Sequence, residues 1–379
     1  MYIRKLNIED EREFSFFLWG ARQTGKSTLL KYLYPDSLLY DLLLSDVFEQ
    51  LYRFPSTIRE AVLAVKPKNP VIIDEIQRIP ALLNEIHWLI ENTDTKFILS
   101  GSSPRKILRK GENLLGGRAL RFELLPLSFA EIPDFNLIKA LNGGLLPRHY
   151  KSKNHKKLLA AYIGSYLQDE IIAEAKLRNI SSFSRFLEIA ALTNGEMINY
   201  TNIASECGVS APTIKEYFQI LYDTLLGRIL PSYQHKPKRR IIRAPKFYFF
   251  DIGVANYLSK QFNIEPGSYA FGKAFEHFIY MEIYAYSKYS GKDFPISYWR
   301  TASQLEIDFV LGQHEVGIEV KSSVHIIPRH LKGLKAFSEE YNVNKLIVIS
   351  RDSQPRLINN ILILPWKEFL KQLWAGEII

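Results

Sequence analysis

Four short apolar runs punctuate the first third of the chain: Phe16-Phe17-Leu18-Trp19, Leu38-Leu39-Tyr40, Val71-Ile72-Ile73 and Phe97-Ile98-Leu99. Helical patterns fill the spaces between them. Runs that are apolar without alternation belong to strands buried on both faces, so the pattern predicts a parallel sheet covered by helices. From about residue 156 to 230 the pattern turns helical. From Phe247 onward helices and strands mix, with polar and apolar positions alternating over Leu305 to Leu311 and Val316 to Val320. Pro126, Pro133, Gly143, Gly144 and Pro147 mark one loop-rich join, and Pro231, Pro237 and Pro245 mark another. The expected organisation is an α/β domain over 1–135, a helical domain over 136–245 and a second α/β domain over 246–379.

Composition narrows the class without changing this picture. A chain of 379 residues that is 47% hydrophobic and 23% charged can bury several cores, which excludes collagen-like and wholly disordered readings. One cysteine, Cys207, excludes a disulfide framework, and no His/Cys cluster has zinc spacing. The N-terminus lacks an apolar signal region, and no apolar run approaches the ~18 residues of a membrane span. The expectation is a cytoplasmic protein with no membrane partner. The net charge of +9 is local, since Lys236, Lys238, Arg239, Arg240, Arg243 and Lys246 lie in one stretch without an acid. Such a stretch suits phosphate contacts, so Lys236, Lys238, Arg239, Arg240 and Arg243 are the candidate nucleic-acid ligands and DNA the candidate partner.

The first candidate chemistry is Gly20-Ala21-Arg22-Gln23-Thr24-Gly25-Lys26-Ser27, which follows an apolar strand and opens a helical pattern at Thr28. This is the G-x-x-x-x-G-K-[ST] loop in the context that gives it meaning. Its backbone N–H groups turn inward around phosphate, Lys26 reaches the β/γ oxygens, and the Ser27 hydroxyl is a ligand for Mg²⁺. The strand Val71-Ile72-Ile73 ends in Asp74 and Glu75. Asp74 would hold the Mg²⁺ water shell and Glu75 would polarise the attacking water, as ATP hydrolysis requires. A third strand ends in Ser100-Gly101-Ser102-Ser103, where Ser100 or Ser102 could sense the γ-phosphate and where a turn cap accounts for the residues equally well. Arg118, ahead of Arg121, could reach the γ-phosphate of a neighbouring subunit in a homo-oligomer, or could be a solvated loop residue.

These segments, with Leu125 to Glu131, Gly143-Gly144-Leu145-Leu146-Pro147, Tyr166 to Ile171 and Lys246 to Gly253, resemble the prokaryotic AAA-type ATPases that carry a C-terminal domain of unknown function. The resemblance covers nearly the whole chain. It implies an AAA-type P-loop domain that binds ATP. The family often has Arg-Asp where this chain has Gln168-Asp169.

In the middle region, Tyr200 to Cys207, a turn at Gly208 and a second helix capped by Ser210 have helix-turn-helix spacing. The segment that follows resembles the wing of a winged helix. The second helix would present Ala211, Thr213, Lys215 and Glu216, a weak set for reading bases. A winged-helix lid that only packs against the ATPase is the other reading of this region.

In the C-terminal region the two alternating segments read as a hairpin. With a two-residue turn at Gln313-His314, Asp308 would stand opposite Glu319 and Glu306 opposite Lys321. Asp308 and Glu319 could then hold a divalent cation beside a scissile phosphate, with Lys321 on the same face as Glu319, while Ile307, Phe309, Ile318 and Val320 point into a core. The order Asp308, Glu319, Lys321, preceded by Glu276 on a helix, is similar to the PD-(D/E)xK nucleases. That resemblance implies a restriction-endonuclease-like α/β fold with Glu276, Asp308, Glu319 and Lys321 as catalytic residues. The complete expectation is an ATP- and Mg²⁺-dependent enzyme acting on nucleic acid. A DNA-binding regulator without cleavage and an oligomerising signalling ATPase are its alternatives.

Overall fold

The computed structural model describes residues 2–11, 13–105, 107, 115–164, 179–235 and 238–379. Lys236 and Pro237 of the basic stretch, and the segment holding Gln168 and Asp169, lie outside the described residues. The chain divides into two compact units: residues 3–126 with 223–226, and residue 2 with 127–222 and 227–379. The expected join near 135 falls at 126, and the join expected at 245/246 lies inside the second unit, where the middle helices and the C-terminal sheet share a core.

In the first unit five parallel strands stand in the order β2-β3-β4-β1-β5: β1 (Ser15–Trp19), β2 (Leu39–Asp41), β3 (Val71–Asp74), β4 (Phe97–Gly101) and β5 (Ala119–Glu123). Every residue of β1, β3 and β4 is buried, which is why they read as unbroken apolar runs. β5 lacks that signature. As an edge strand it keeps Leu120 and Arg121 exposed, so its sequence does not announce a strand. Residues 223–226 belong to this unit, where buried Arg105 pairs with Asp223 at 2.5 Å.

The second unit begins with short helices and continues through helices Ile180–Leu192, Tyr200–Cys207 and Ala211–Asp223, the last of which ends in the first unit's residue. Gly208, at φ 65°, ends the Tyr200–Cys207 helix, and Ser210 Oγ accepts from Thr213 N at 3.3 Å at the start of the next. Strands β6 (Gly227–Leu230) and β7 (Lys246–Phe249) then pair antiparallel. A six-stranded mixed sheet follows in the order β12-β13-β11-β10-β9-β8, from β8 (Ile296–Arg300), β9 (Glu306–Leu311), β10 (Val316–Val320), β11 (Lys345–Ser350), β12 (Arg356–Ile358) and β13 (Ile361–Pro365). β9 runs antiparallel to both of its neighbours, β8 and β10, and β11 runs parallel to β10. Helices Tyr269–Tyr289 and Trp366–Trp374 contribute to one core with Phe309 and Ile318, and helix Lys332–Ser338 to another with Ile307 and Val310.

Among the described residues no helix is long and apolar enough to cross a membrane.

Glu282, on helix Tyr269–Tyr289, is fully buried and ties three segments of this unit together. It accepts from Phe129 N at 2.7 Å and from Trp374 Nε1 at 2.9 Å. Burial pushes its pKa up to about 8. Because that lies above the unfolded value of ~4.3, the stability it contributes is complete at acid pH and is lost as pH rises through about 8. The expected result is a thermal midpoint for this unit that falls between about pH 4.5 and 8 and levels off above, with a flatter profile in Glu282→Gln. Calorimetric scans of both proteins at several pH values check it.

Candidate functional site

The phosphate-loop residues are brought together as their spacing predicts. Gly20 leaves β1 where a Cβ would overlap the Leu124 carbonyl, and Gly25, at φ 101°, turns the chain into helix Lys26–Leu33. Thr24 Oγ1 donates to Ala21 O at 2.9 Å, while Gln23 takes a left-handed conformation at φ 64°. Arg22 is half-buried, and Gln23, Ser27 and Thr28 are exposed. Buried Lys26 rests its Nζ on Gly20 O at 2.7 Å; burial lowers its pKa, partly offset by Glu75 and Asp74. Sequence reasoning missed Arg4, which braces the loop by donating to Thr24 O at 2.7 Å and Leu125 O at 2.6 Å.

At the end of β3, Asp74 accepts from Ser27 Oγ at 2.5 Å and from the Ser100 hydroxyl. A hydroxyl and a carboxylate converging in this way are the hard oxygen donors that Mg²⁺ takes, so the residues fit the ion. Ser100 therefore touches Asp74, a contact its reading as a phosphate sensor did not include. Glu75 is buried and left-handed, at φ 63°. Its carboxylate accepts from the Gln77 amide, which also donates to Ser102 Oγ at 3.0 Å. Gln77 closes the run Ile72 to Gln77 that carries part of the family resemblance, but the run itself gives its amide no role.

The second unit holds the other cluster. β9 and β10 pair Leu311 with Val316, Val310 with Gly317 and Phe309 with Ile318, the register expected, but the turn has four residues, Gly312 to Glu315. The ladder stops there, and the expected pair Glu306 and Lys321 does not form: Glu306 pairs with Arg300 of β8 at 2.9 Å and with Lys246 at 2.8 Å. Between β8 and β9 the register shifts, leaving Asp308 and Phe309 opposite Tyr298 alone. This bulge breaks the alternation, which is why Ile307 and Phe309 enter different cores.

Asp308 and Glu319 are both buried. Asp308 Oδ2 accepts from Val320 N at 2.7 Å, Glu319 Oε1 accepts from Lys321 Nζ, and Glu319 Oε2 is buried without a partner. Burial, then Glu319 and Glu276, raises the Asp308 pKa well above the carboxylate range. Burial raises Glu319 as well, against the pull of Lys321. Burial would lower Lys321, but Asp308 and Glu319 outweigh it and raise its pKa. Two buried carboxyls with an orphan oxygen fit a cation that keeps most of its water. Glu276 does not complete a triad with them. It accepts from Tyr248 Oη at 2.6 Å and lies 3.5 Å from Lys246 Nζ, and among the described residues no group of three or more His, Cys, Asp or Glu could hold a metal ion. Lys246, Glu276, Arg300, Glu306 and Lys321 line an open cavity of about 770 Å³. Lys246, Tyr248 and Arg300 were not legible as members of this cluster.

Residues 13–133 match a family described as an AAA domain. The first unit is an AAA-type P-loop ATPase domain. Residues 135–265 and 271–369 match two domains of unknown function, DUF8612 and DUF4143. An uncharacterised protein of Mycobacterium tuberculosis is 24% identical over 316 residues, covering 80% of this chain and 69% of that protein. One of Methanocaldococcus jannaschii is 23% identical over 435 residues, covering 96% and 86%. Among solved structures, a Walker-type ATPase of Pyrococcus abyssi aligns with 67% of this chain and 93% of its own at 16% identity and a TM-score of 0.44.

In the ATPase domain Arg118 precedes β5 and pairs with Glu91 on the surface. In the second unit the basic stretch is less uniform than its sequence suggests. Arg239 is paired with Glu339 and, at 2.7 Å, with Glu340, and Lys246 is buried, whereas Lys238, Arg240 and Arg243 are exposed. His277 is a buried structural residue between Asn194 and Phe249 O.

Proposed function

We propose that this protein hydrolyses ATP in its first unit and acts on DNA through its second, where a metal-dependent phosphodiesterase site lies in the cavity beside Asp308, Glu319 and Lys321. The observation that carries the reading is the bulged hairpin, which buries two carboxyls beside Lys321, and Lys321 lines the cavity in which Glu276 also stands. The topology supports it too, since a helix, three antiparallel strands, a helix and a fourth strand parallel to the third form the core to which the PD-(D/E)xK resemblance points.

In the ATPase domain Lys26 would hold the β/γ oxygens. Glu75 takes a proton from water as the water oxygen bonds to the γ-phosphorus and the bond from that phosphorus to the ADP oxygen breaks. In the second unit Lys321 would neutralise the scissile phosphate while water attacks phosphorus and the bond to the leaving sugar oxygen breaks. Mg²⁺, held by Ser27 and Asp74 in one site and by Asp308 and Glu319 in the other, would neutralise phosphate charge and lower the pKa of bound water. Nicking of supercoiled plasmid by wild type but not by Lys321→Ala tests the reading, and intact plasmid in both contradicts it.

A second reading, a nucleotide-gated DNA-binding regulator, is favoured by one observation: Glu276 is engaged by Tyr248 and Lys246 and leaves only two acids for a metal. Both readings use the helix-turn-helix and the β6–β7 hairpin as a winged helix whose connecting loop carries Lys238, Arg240 and Arg243 to phosphate. Replacing Arg240 and Arg243 by Ala is expected to reduce the magnitude of the log–log salt slope of DNA affinity by about 2, since each phosphate contact contributes ~0.9. Arg239→Ala should change it less than either of these because its charge is already paired with Glu339 and Glu340. Fluorescence anisotropy at several salt concentrations measures both.

A further inference from the structure

We propose that Gln77 is the positioning residue of ATP hydrolysis, holding Glu75 in its working orientation through an amide that Ser102 fixes. This rests on the reading of Glu75 as the base. The Gln77 Nε2 has two hydrogens and two acceptors, the Glu75 carboxylate and Ser102 Oγ at 3.0 Å, and all three side chains are buried. Turning the amide over would set its oxygen against the carboxylate, so the donor orientation is determined by charge. Its Oε1 is buried without a partner, in space that only glycine provides: a Cβ on Gly101 would overlap Oε1 and come within 2.6 Å of Trp19 Cζ3. With Glu75 Oε2 taken by the amide, Oε1 is the oxygen left to accept the proton of water.

The arrangement also links two strand ends. Ser100 holds Asp74 and, two residues on, Ser102 holds Gln77 and through it Glu75, so the end of β4 sets both acids at the end of β3. A displacement of β4 would therefore act on the ion's ligand and on the base together.

The test compares ATP turnover, its pH profile and thermal midpoints for wild type, Gln77→Ala and Gln77→Glu. Gln77→Ala is expected to lower kcat about 10- to 100-fold with KM within about twofold, because a misplaced base costs rate and not binding. Gln77→Glu sets a second carboxylate against Glu75, which raises the pKa of the base and moves the acid limb of kcat up by about a unit. A residue that merely filled space would leave that limb in place. Wild-type kcat in Gln77→Ala, or an unmoved acid limb in Gln77→Glu, overturns the proposal. If Gln77→Ala has no thermal transition, the near-isosteric Gln77→Glu decides alone. A wild-type protein that turns over no ATP overturns the hydrolysis reading itself, an outcome distinct from active wild type with indifferent variants.

Discussion

Glu75→Gln is expected to lower ATP turnover by about 10²- to 10⁴-fold, the range that a general base contributes, while ATP binding stays within about twofold. The substituted amide has the same shape and can still accept from Gln77 through its carbonyl, but it cannot take a proton from water. Lys26, Ser27 and Asp74, which would hold the phosphates and the ion, are left as they are. The variant should therefore accumulate ATP-bound protein. Phosphate release in steady state and equilibrium titration with ATP measure the two quantities separately. Unchanged turnover would remove Glu75 from the chemistry, and lost binding would show that its buried carboxylate supports the loop and not the reaction.

Asp308→Asn is expected to abolish metal-dependent cleavage and to make the second unit more stable. Asp308 is buried, and burial together with Glu319 and Glu276 raises its pKa well above the usual range, with Lys321 and Lys246 offsetting part of the effect. Its charged form is thus held at a cost that a neutral isostere removes, while the Asn carbonyl still accepts from Val320 N. In metal-free buffer the variant should therefore have the higher thermal midpoint of the two. The sign of the pH dependence follows from the raised pKa. The protonated wild type is already relieved at low pH, so the difference between the two proteins should shrink as pH falls. Added Mg²⁺ should raise the wild-type midpoint and leave the variant's unmoved. A variant less stable than wild type at every pH would mean that the carboxylate is structural.

The difference in legibility between the two sites has a physical cause. The phosphate loop is a local object: Gly20, Gly25, Lys26 and Ser27 act through the turn they themselves form, and Asp74 and Glu75 end a strand that announces itself by being wholly buried. Residues that act across the chain gave no such signal. Lys246 sits in a run of cations and reads as part of a solvated surface, yet it is buried against Glu276 and Glu306, 30 and 60 residues further along. The bulge at Asp308 is silent for another reason. One extra residue in a strand leaves both flanking segments alternating, and only the partner strand β8 reveals the shift. The join expected near 245 was drawn from prolines, which mark loops and not independent cores; Leu141, Tyr150 and Leu230 on one side and Phe275 and Phe309 on the other belong to a single cluster.

The most direct test of the account incubates supercoiled plasmid with wild type and with Asp308→Ala, in Mg²⁺ or Mn²⁺, with and without ATP, and scores nicked and linear product. The account predicts cleavage by wild type, none by the variant, and a dependence of the rate on ATP. Intact plasmid in every lane, from protein that hydrolyses ATP and retards the same DNA, would contradict the phosphodiesterase site and leave the cavity beside Asp308 and Glu319 as part of a binding surface.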